Sequence, residues 1–345
     1  MARHNIVADV LVLQKNKTYI TGALYWSLLF LTALLVRIYG AHAVKHIDHY
    51  FDIERPFVYR ALLSWLADTI QFFITVDFEI WLYERLLPLI IQDYPQFLYK
   101  PEDLMHFIIC LLLGAIALMI YGHLTGVIAR QLFSFSHLAR RSLAIGAILI
   151  AALFMRPYSQ IYDPLTLCFS ALMTWLLISG RSYWYTAMVI PAIINRETAF
   201  YFIALFGLYH FFSGNLRSVI GLIVCQFLAA AVVKIFLTFY YADIKGAFLW
   251  FMLDRTLGEF IEQYILGLAV LLGCGFLMFA YWRHRPLVLR CWSILSVFGA
   301  VAFFLFSRWV ELRTLFEFLP AFILSTCFIV RHLLNRRSDQ GRHAS

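Results

Sequence analysis

The chain has 345 residues, of which 62% are hydrophobic, 18% aromatic and only 14% charged, with a formal net charge of +8. A mean hydropathy of +0.77 excludes an ordinary water-soluble domain, and the apolar runs near 20 residues match what a roughly 30 Å hydrocarbon core requires. The basic excess reads as Lys and Arg held at the cytoplasmic membrane surface, not as a nucleic-acid interface; the six cysteines stand singly, without CxxC spacing, as buried thiols do.

In chain order, residues 1–18 form a basic N-terminus expected to be cytoplasmic. The run at about 19–38 is longer than a cleaved signal core, so a retained signal-anchor helix is expected even though Ala41-His42-Ala43 imitates a cleavage site. The densest chemistry follows in HAVKHIDHYFDIERPFVYR, residues 42–60, with three His, two Asp, one Glu and three basic residues. If this stretch is helical, His42, His46, Asp48, His49 and Asp52 are spaced to share a face and could hold a divalent metal; a solvated His-rich loop fits equally well, so no metal is assigned.

Residues 61–105 mix acids from Asp68 to Asp103 with Leu62, Leu63, Trp65, Leu66, Ile70, Phe73 and Ile74 at helical spacing. That pattern predicts helices lying in the interface inside one long outer loop, 40–105. Nine further crossings are expected near 106–128, 142–155, 164–180, 183–195, 199–213, 218–240, 264–282, 291–307 and 314–330, with Pro191 interrupting one short crossing. Together they predict an all-α, polytopic membrane protein: one domain over 1–345, about ten transmembrane helices, and a basic, frayed cytoplasmic tail at 331–345.

With both termini cytoplasmic, the inner segments collect 15 Lys or Arg against two acids, Asp9 and Asp339. A crossing within 69–92 would turn the basic loops outward, which argues for the single long loop. The remaining unusual polar residues then gather on the outer face: Asp48, Asp52, Glu54, Arg55 and Arg60; Arg156, Tyr162 and Asp163 in RPYSQIYDP; Asn195, Arg196 and Glu197 in INRET; Lys234; and Glu311 and Arg313 in ELR, followed by Glu317.

Charges near membrane depth point to a functional cavity, but each residue also has a plainer reading. Arg196 with Glu197, or Glu311 with Arg313, could be ion pairs sealing helix ends. Asp163 before Pro164 fits a helix N-terminus, and Lys234 can snorkel to the surface. Favouring function is the recurrence of carboxylates beside arginines in four outer loops. Arg binds phosphate in a bidentate fork, and a partly desolvated carboxylate can act as a general base. Together they suit transfer of a group from a phosphate leaving group to an alcohol.

On its architecture, its polar first outer loop and the set ERPFVYR, RPYSQIYDP, NRET and ELR, the chain resembles the GT-C superfamily of polytopic membrane glycosyltransferases. The resemblance implies a polyprenyl-phosphate sugar donor and a glycan, lipid or protein acceptor, used at the periplasmic or lumenal face. It also implies a base at Asp48 or Asp52, with Glu54 behind them. The carrier phosphate would fall to Arg55, Arg60, Arg156, Arg196 or Arg313. The Asp-Glu dipeptide of several branches is absent from this loop. A bacterial cytoplasmic membrane is the expected location. The competing expectations are a polymerase or ligase using a lipid-pyrophosphate donor, and a transporter or flippase of an anionic lipid or solute.

Overall fold

The computed structural model describes residues 21–38, 62–90, 100–155, 163–242, 264–306 and 312–343. No strand occurs among them. Twelve helices follow one another: α1 (Thr21–Ile38), α2 (Leu62–Gln71), α3 (Val76–Ile90), α4 (Pro101–Phe133), α5 (His137–Met155), α6 (Asp163–Ile178), α7 (Ser182–Asn195), α8 (Phe200–Phe212), α9 (Leu216–Tyr240), α10 (Tyr264–Phe279), α11 (Leu287–Phe306) and α12 (Leu319–His343). Helix is the physical answer to this composition, because it satisfies backbone N–H and C=O groups within the segment when water is absent.

Among the described residues four helices are long and apolar enough to cross a bilayer: α1, α4, α9 and the Leu315–Asn335 stretch that includes most of α12. Asp163–Ile178, Phe200–Phe212 and Leu287–Phe303 are apolar but shorter. The outer surface is apolar too. α9 alone exposes Ile220, Val224, Phe227, Leu228, Val232, Ile235, Phe236 and Phe239, a surface suited to lipid and not to water.

The spine is α4, whose 33 residues extend about 50 Å at 1.5 Å per residue. Pro101 opens it with Glu102 and Asp103 in the first turn, where the helix dipole favours acids. It ends at Ser134, left-handed at φ 53°, whose N–H bonds to the Arg130 carbonyl. Gly122 and Gly126 let α5 lie directly on it: a Cβ at either would fall 2.6 Å from the carbonyl oxygen of Ala144 or Arg140. Gly180, at φ +67°, makes the α6–α7 turn.

Contacts between connections fall into two sets, one at each end of the bundle. At the polar end, α2 docks on the start of α4: Asp68 Oδ1 lies 3.0 Å from His106 Nδ1, and Gln71 Nε2 donates to the Glu102 carbonyl at 2.9 Å and to Glu79 Oε1 at 2.8 Å. Trp65 Nε1 donates to Tyr241 Oη at 3.1 Å. At the basic end, Arg141 lies over the Tyr25 ring, Phe133 meets Phe328, Arg285 donates to Ser325 and Tyr281 meets His332.

Three sequence expectations are corrected. α4 starts at Pro101 and ends at Phe133, so the expected crossing at 106–128 is only its middle. α7 continues through Pro191 to Asn195 instead of breaking there. Residues 331–343 are not frayed but complete α12, since Leu333, Leu334, Arg336 and Arg337 are strong helix formers and no proline follows.

Candidate functional site

The site is built on one face of α6. Asp163, Thr166, Ser170 and Thr174 recur at helical spacing and are all buried, so a polar stripe runs inward from the polar end. Each of the last three residues meets a different element. Thr166 Oγ1 accepts from Asn195 Nδ2 at 3.1 Å, Ser170 Oγ donates to the Glu317 carbonyl, and Thr174 Oγ1 accepts from Trp292 Nε1 at 3.0 Å. The stripe therefore ties α6 to α7, to the turn before α12 and to α11.

Arg196 reaches this face because α7 stops beside it. The Arg196 N–H still bonds to the Ala192 carbonyl at 2.9 Å, but its φ of −162° and ψ of 136° are extended. The single 3₁₀ turn Glu197–Ala199 then leads into α8. This short break turns the guanidinium inward, where it is 3% exposed.

Glu317 approaches from the far end of the sequence, on the 3₁₀ segment Leu312–Phe318 that precedes α12. Its side chain is 1% exposed, and Oε1 lies 3.4 Å from Arg196 Nε, a close ion pair without the alignment of a good hydrogen bond. Thr198 Oγ1 donates to the same oxygen. Glu317 Oε2 and Asn195 Oδ1 are buried with no hydrogen-bond partner among the described residues. Buried acceptors of this kind require a donor, so the cluster is chemically unfinished. Thr166, Phe169, Ala192, Asn195, Arg196, Ala199, Phe202 and Glu317 line a crevice that is closed to water-sized molecules in this conformation.

Of the residues expected from sequence, the structure brings Asp163, Asn195 and Arg196 to this end. Glu197 and Arg313 lie on the two short turns that also carry Thr198 and Glu317. Lys234 sits within α9 and is not among the lining residues. Asp48, Asp52, Glu54, Arg55, Arg60, Arg156, Tyr162 and Glu311 lie outside the described residues, as does the His42 to Asp52 metal candidate. The Glu197 side chain, and with it the pairing expected between Arg196 and Glu197, lies outside what is described; a carboxylate that is described against Arg196 is Glu317. Sequence reasoning missed Thr166, Ser170 and Thr198, and placed Glu317 on the outer face without assigning it to the site. The spacing of Thr166, Ser170 and Thr174 was a readable signal for the first two.

Among the described residues no group of three His, Cys, Asp or Glu is arranged to hold a metal. Chemically, the crevice offers one cation, one carboxylate and an amide withdrawn from water, with a second carboxylate, Asp163, buried one turn before Thr166 on α6. Comparison with protein-family models, curated proteins and solved structures gives no match for this chain.

Proposed function

We propose that the chain is an integral-membrane glycosyltransferase that moves a sugar from a polyprenyl-phosphate carrier to an acceptor hydroxyl. The observation that carries this reading is the buried crevice shared by Arg196, Asn195 and Glu317, which come from two separate connections at the end of the bundle where Asp163 is also buried. In this reading the chain crosses the membrane about ten times with both termini in the cytoplasm, and the polar end faces outward. Arg196 binds the carrier phosphate once Glu317 releases it. Asp48 or Asp52 of the first outer loop takes the proton from the acceptor hydroxyl, which attacks the anomeric carbon. The C–O bond to phosphate breaks with inversion, and the bond's electrons leave on the phosphate. An arginine placed where this charge accumulates is the most effective single contribution the site can make.

The test is the lipid the protein retains. Mass spectrometry of purified wild type is expected to find a polyprenyl phosphate, with or without its sugar. The Arg196→Gln/Glu317→Gln variant, which keeps neutral hydrogen-bonding groups in place, is expected to retain at least tenfold less. Equal retention by the two proteins overturns the assignment of Arg196. In vesicles loaded with a radiolabelled polyprenyl-phosphate hexose panel, unimpaired transfer by both Asp48→Ala and Asp52→Ala would overturn the assignment of the base.

A further inference from the structure

The basic end holds a second unfinished cluster, which the transfer chemistry does not use. There α1, α4 and α5 meet. Arg141 lies over the Tyr25 ring with its guanidinium carbon 5.1 Å from the centroid. Tyr25 Oη is 3.2 Å from His123 Nδ1, and the Trp26 ring lies on that of His123 with centroids 4.5 Å apart. The close approach of α5 to Gly126 brings Arg140 and Arg141, both in its first turn, to this junction.

Two observations leave the cluster without an anion among the described residues. The Nε atoms of Arg140 and Arg141 are buried with no hydrogen-bond partner among the described residues. No Asp or Glu occurs anywhere between Asp103 and Asp163, so α5 and all of α4 beyond its first turn supply no carboxylate. A buried guanidinium N–H requires an acceptor. Two adjacent forks prefer paired oxygens on one anion. Beside them, Trp26 is 42% exposed and Leu138 76% exposed, an apolar rim on the outer surface of the bundle. A ligand that fits both halves has paired phosphate oxygens on hydrocarbon chains.

We infer that the junction of α1, α4 and α5 binds the phosphodiester headgroup of an anionic phospholipid. Arg140 and Arg141 hold the phosphate, and Trp26 and Leu138 lie along the acyl chains. Trp in an interfacial belt and basic pockets between spanning helices suit such a ligand. The site lies at the opposite end of the bundle from Arg196, so it stands or fails independently of the glycosyltransferase reading.

The experiment is native mass spectrometry of the full chain in a neutral maltoside detergent, offered phosphatidylglycerol and phosphatidylcholine in competition. Wild type is expected to keep one phosphatidylglycerol in preference to phosphatidylcholine. In Arg140→Gln/Arg141→Gln the preference should fall about 25-fold, at about fivefold for each charge removed near the surface. Arg217→Gln/Arg283→Gln, which removes two exposed charges at the same end but outside the junction, should keep the preference. Equal losses in the two double variants would show a diffuse basic surface and overturn the site. So would displacement of the bound lipid by millimolar inorganic phosphate, which would mark a soluble anion as the ligand. If the glutamine pair does not fold, Arg141→Lys is the reserve; it keeps the charge but loses the fork over Tyr25. A threefold drop supports the site, and unchanged retention overturns it.

Discussion

Arg196 and Arg285 are two arginines buried to the same degree, 3% and 2% exposed, at opposite ends of one bundle. Their surroundings differ in kind. Arg285 follows α10 and donates to the Leu277 carbonyl at 2.7 Å, the Ala280 carbonyl at 3.0 Å and Ser325 Oγ at 2.7 Å, with the Phe328 ring 5.5 Å from its guanidinium carbon. Burial among neutral partners pulls its pKa down to about 10. It closes the end of α10, whose last carbonyls would otherwise be orphaned. Arg196 instead faces a carboxylate at 3.4 Å, beside buried acceptor atoms that find no donor among the described residues. A buried arginine that has collected carbonyls is a structural fastener. One set against a carboxylate has an anion for which another could exchange.

The largest effect expected from this contrast is at Glu317. Glu317→Ala takes from the buried Arg196 a described counter-charge, and breaking such a buried pair costs up to about 3–5 kcal/mol. In detergent the result is a large drop in unfolding temperature. Arg196→Met/Glu317→Leu removes both charges and should recover most of that stability, because an apolar pair of similar volume is often as stable as the ions. The same double variant should lose polyprenyl-phosphate-dependent transfer entirely. If the recovered protein still transfers sugar, Arg196 is a fastener too and the contrast disappears.

The next effect is at Arg285. Arg285→Met strands two carbonyls and a hydroxyl, at about 1–3 kcal/mol for each buried group left unsatisfied, partly relieved by water at the bundle end. Unfolding temperature should fall while transfer per folded molecule stays unchanged. A specific loss of transfer would show that the two ends are coupled. Below this comes Gly126→Ala, which drives a methyl to 2.6 Å from the Arg140 carbonyl and forces α4 from α5. An overpacking cost of about 1–3 kcal/mol is expected. Phosphatidylglycerol retention should fall with it, because the arginine pair moves, while transfer at the far end persists.

The contrast between the two arginines was only partly legible in the sequence. The helices were, because their runs of apolar residues are bounded by charge: expected crossings at 218–240 and 183–195 became Leu216–Tyr240 and Ser182–Asn195. Asp163, Asn195 and Arg196 stood out because a charge or amide beside an apolar run is costly and needs a reason. Glu317 was placed on the outer face but not in the site. It sits inside the apolar run LFEFL, and its partner lies 121 positions earlier, a pairing that only the folded path of α12 beside α6 creates. Arg285 looked like any inner-loop base. Its commitment to three acceptors depends on the return of the chain after α10, which no local pattern records.

The smallest effect is the most discriminating for the polar end, where a carboxylate–imidazole pair that is ionic only when His106 is protonated joins α2 and α4. Asp68 Oδ1 is 3.0 Å from His106 Nδ1, shorter than the Arg196 to Glu317 separation, yet the Asp68 side chain is 62% exposed. With His106 protonated, water and salt screen such a pair, so at a pH low enough to charge the imidazole Asp68→Asn should cost less than about 1 kcal/mol, and raising ionic strength toward 1 M should remove most of that. The cost of Glu317→Ala should barely change with salt, because screening ions do not reach a pair that is 1% and 3% exposed. Distance alone would rank the two pairs the other way. Unfolding each variant at low and high salt therefore tests burial against proximity. An equal salt response at Asp68 and Glu317 would mean that water reaches Arg196 in the resting protein. The carrier phosphate would then meet a solvated arginine, and the advantage of a dry site for stabilising the departing charge would be lost.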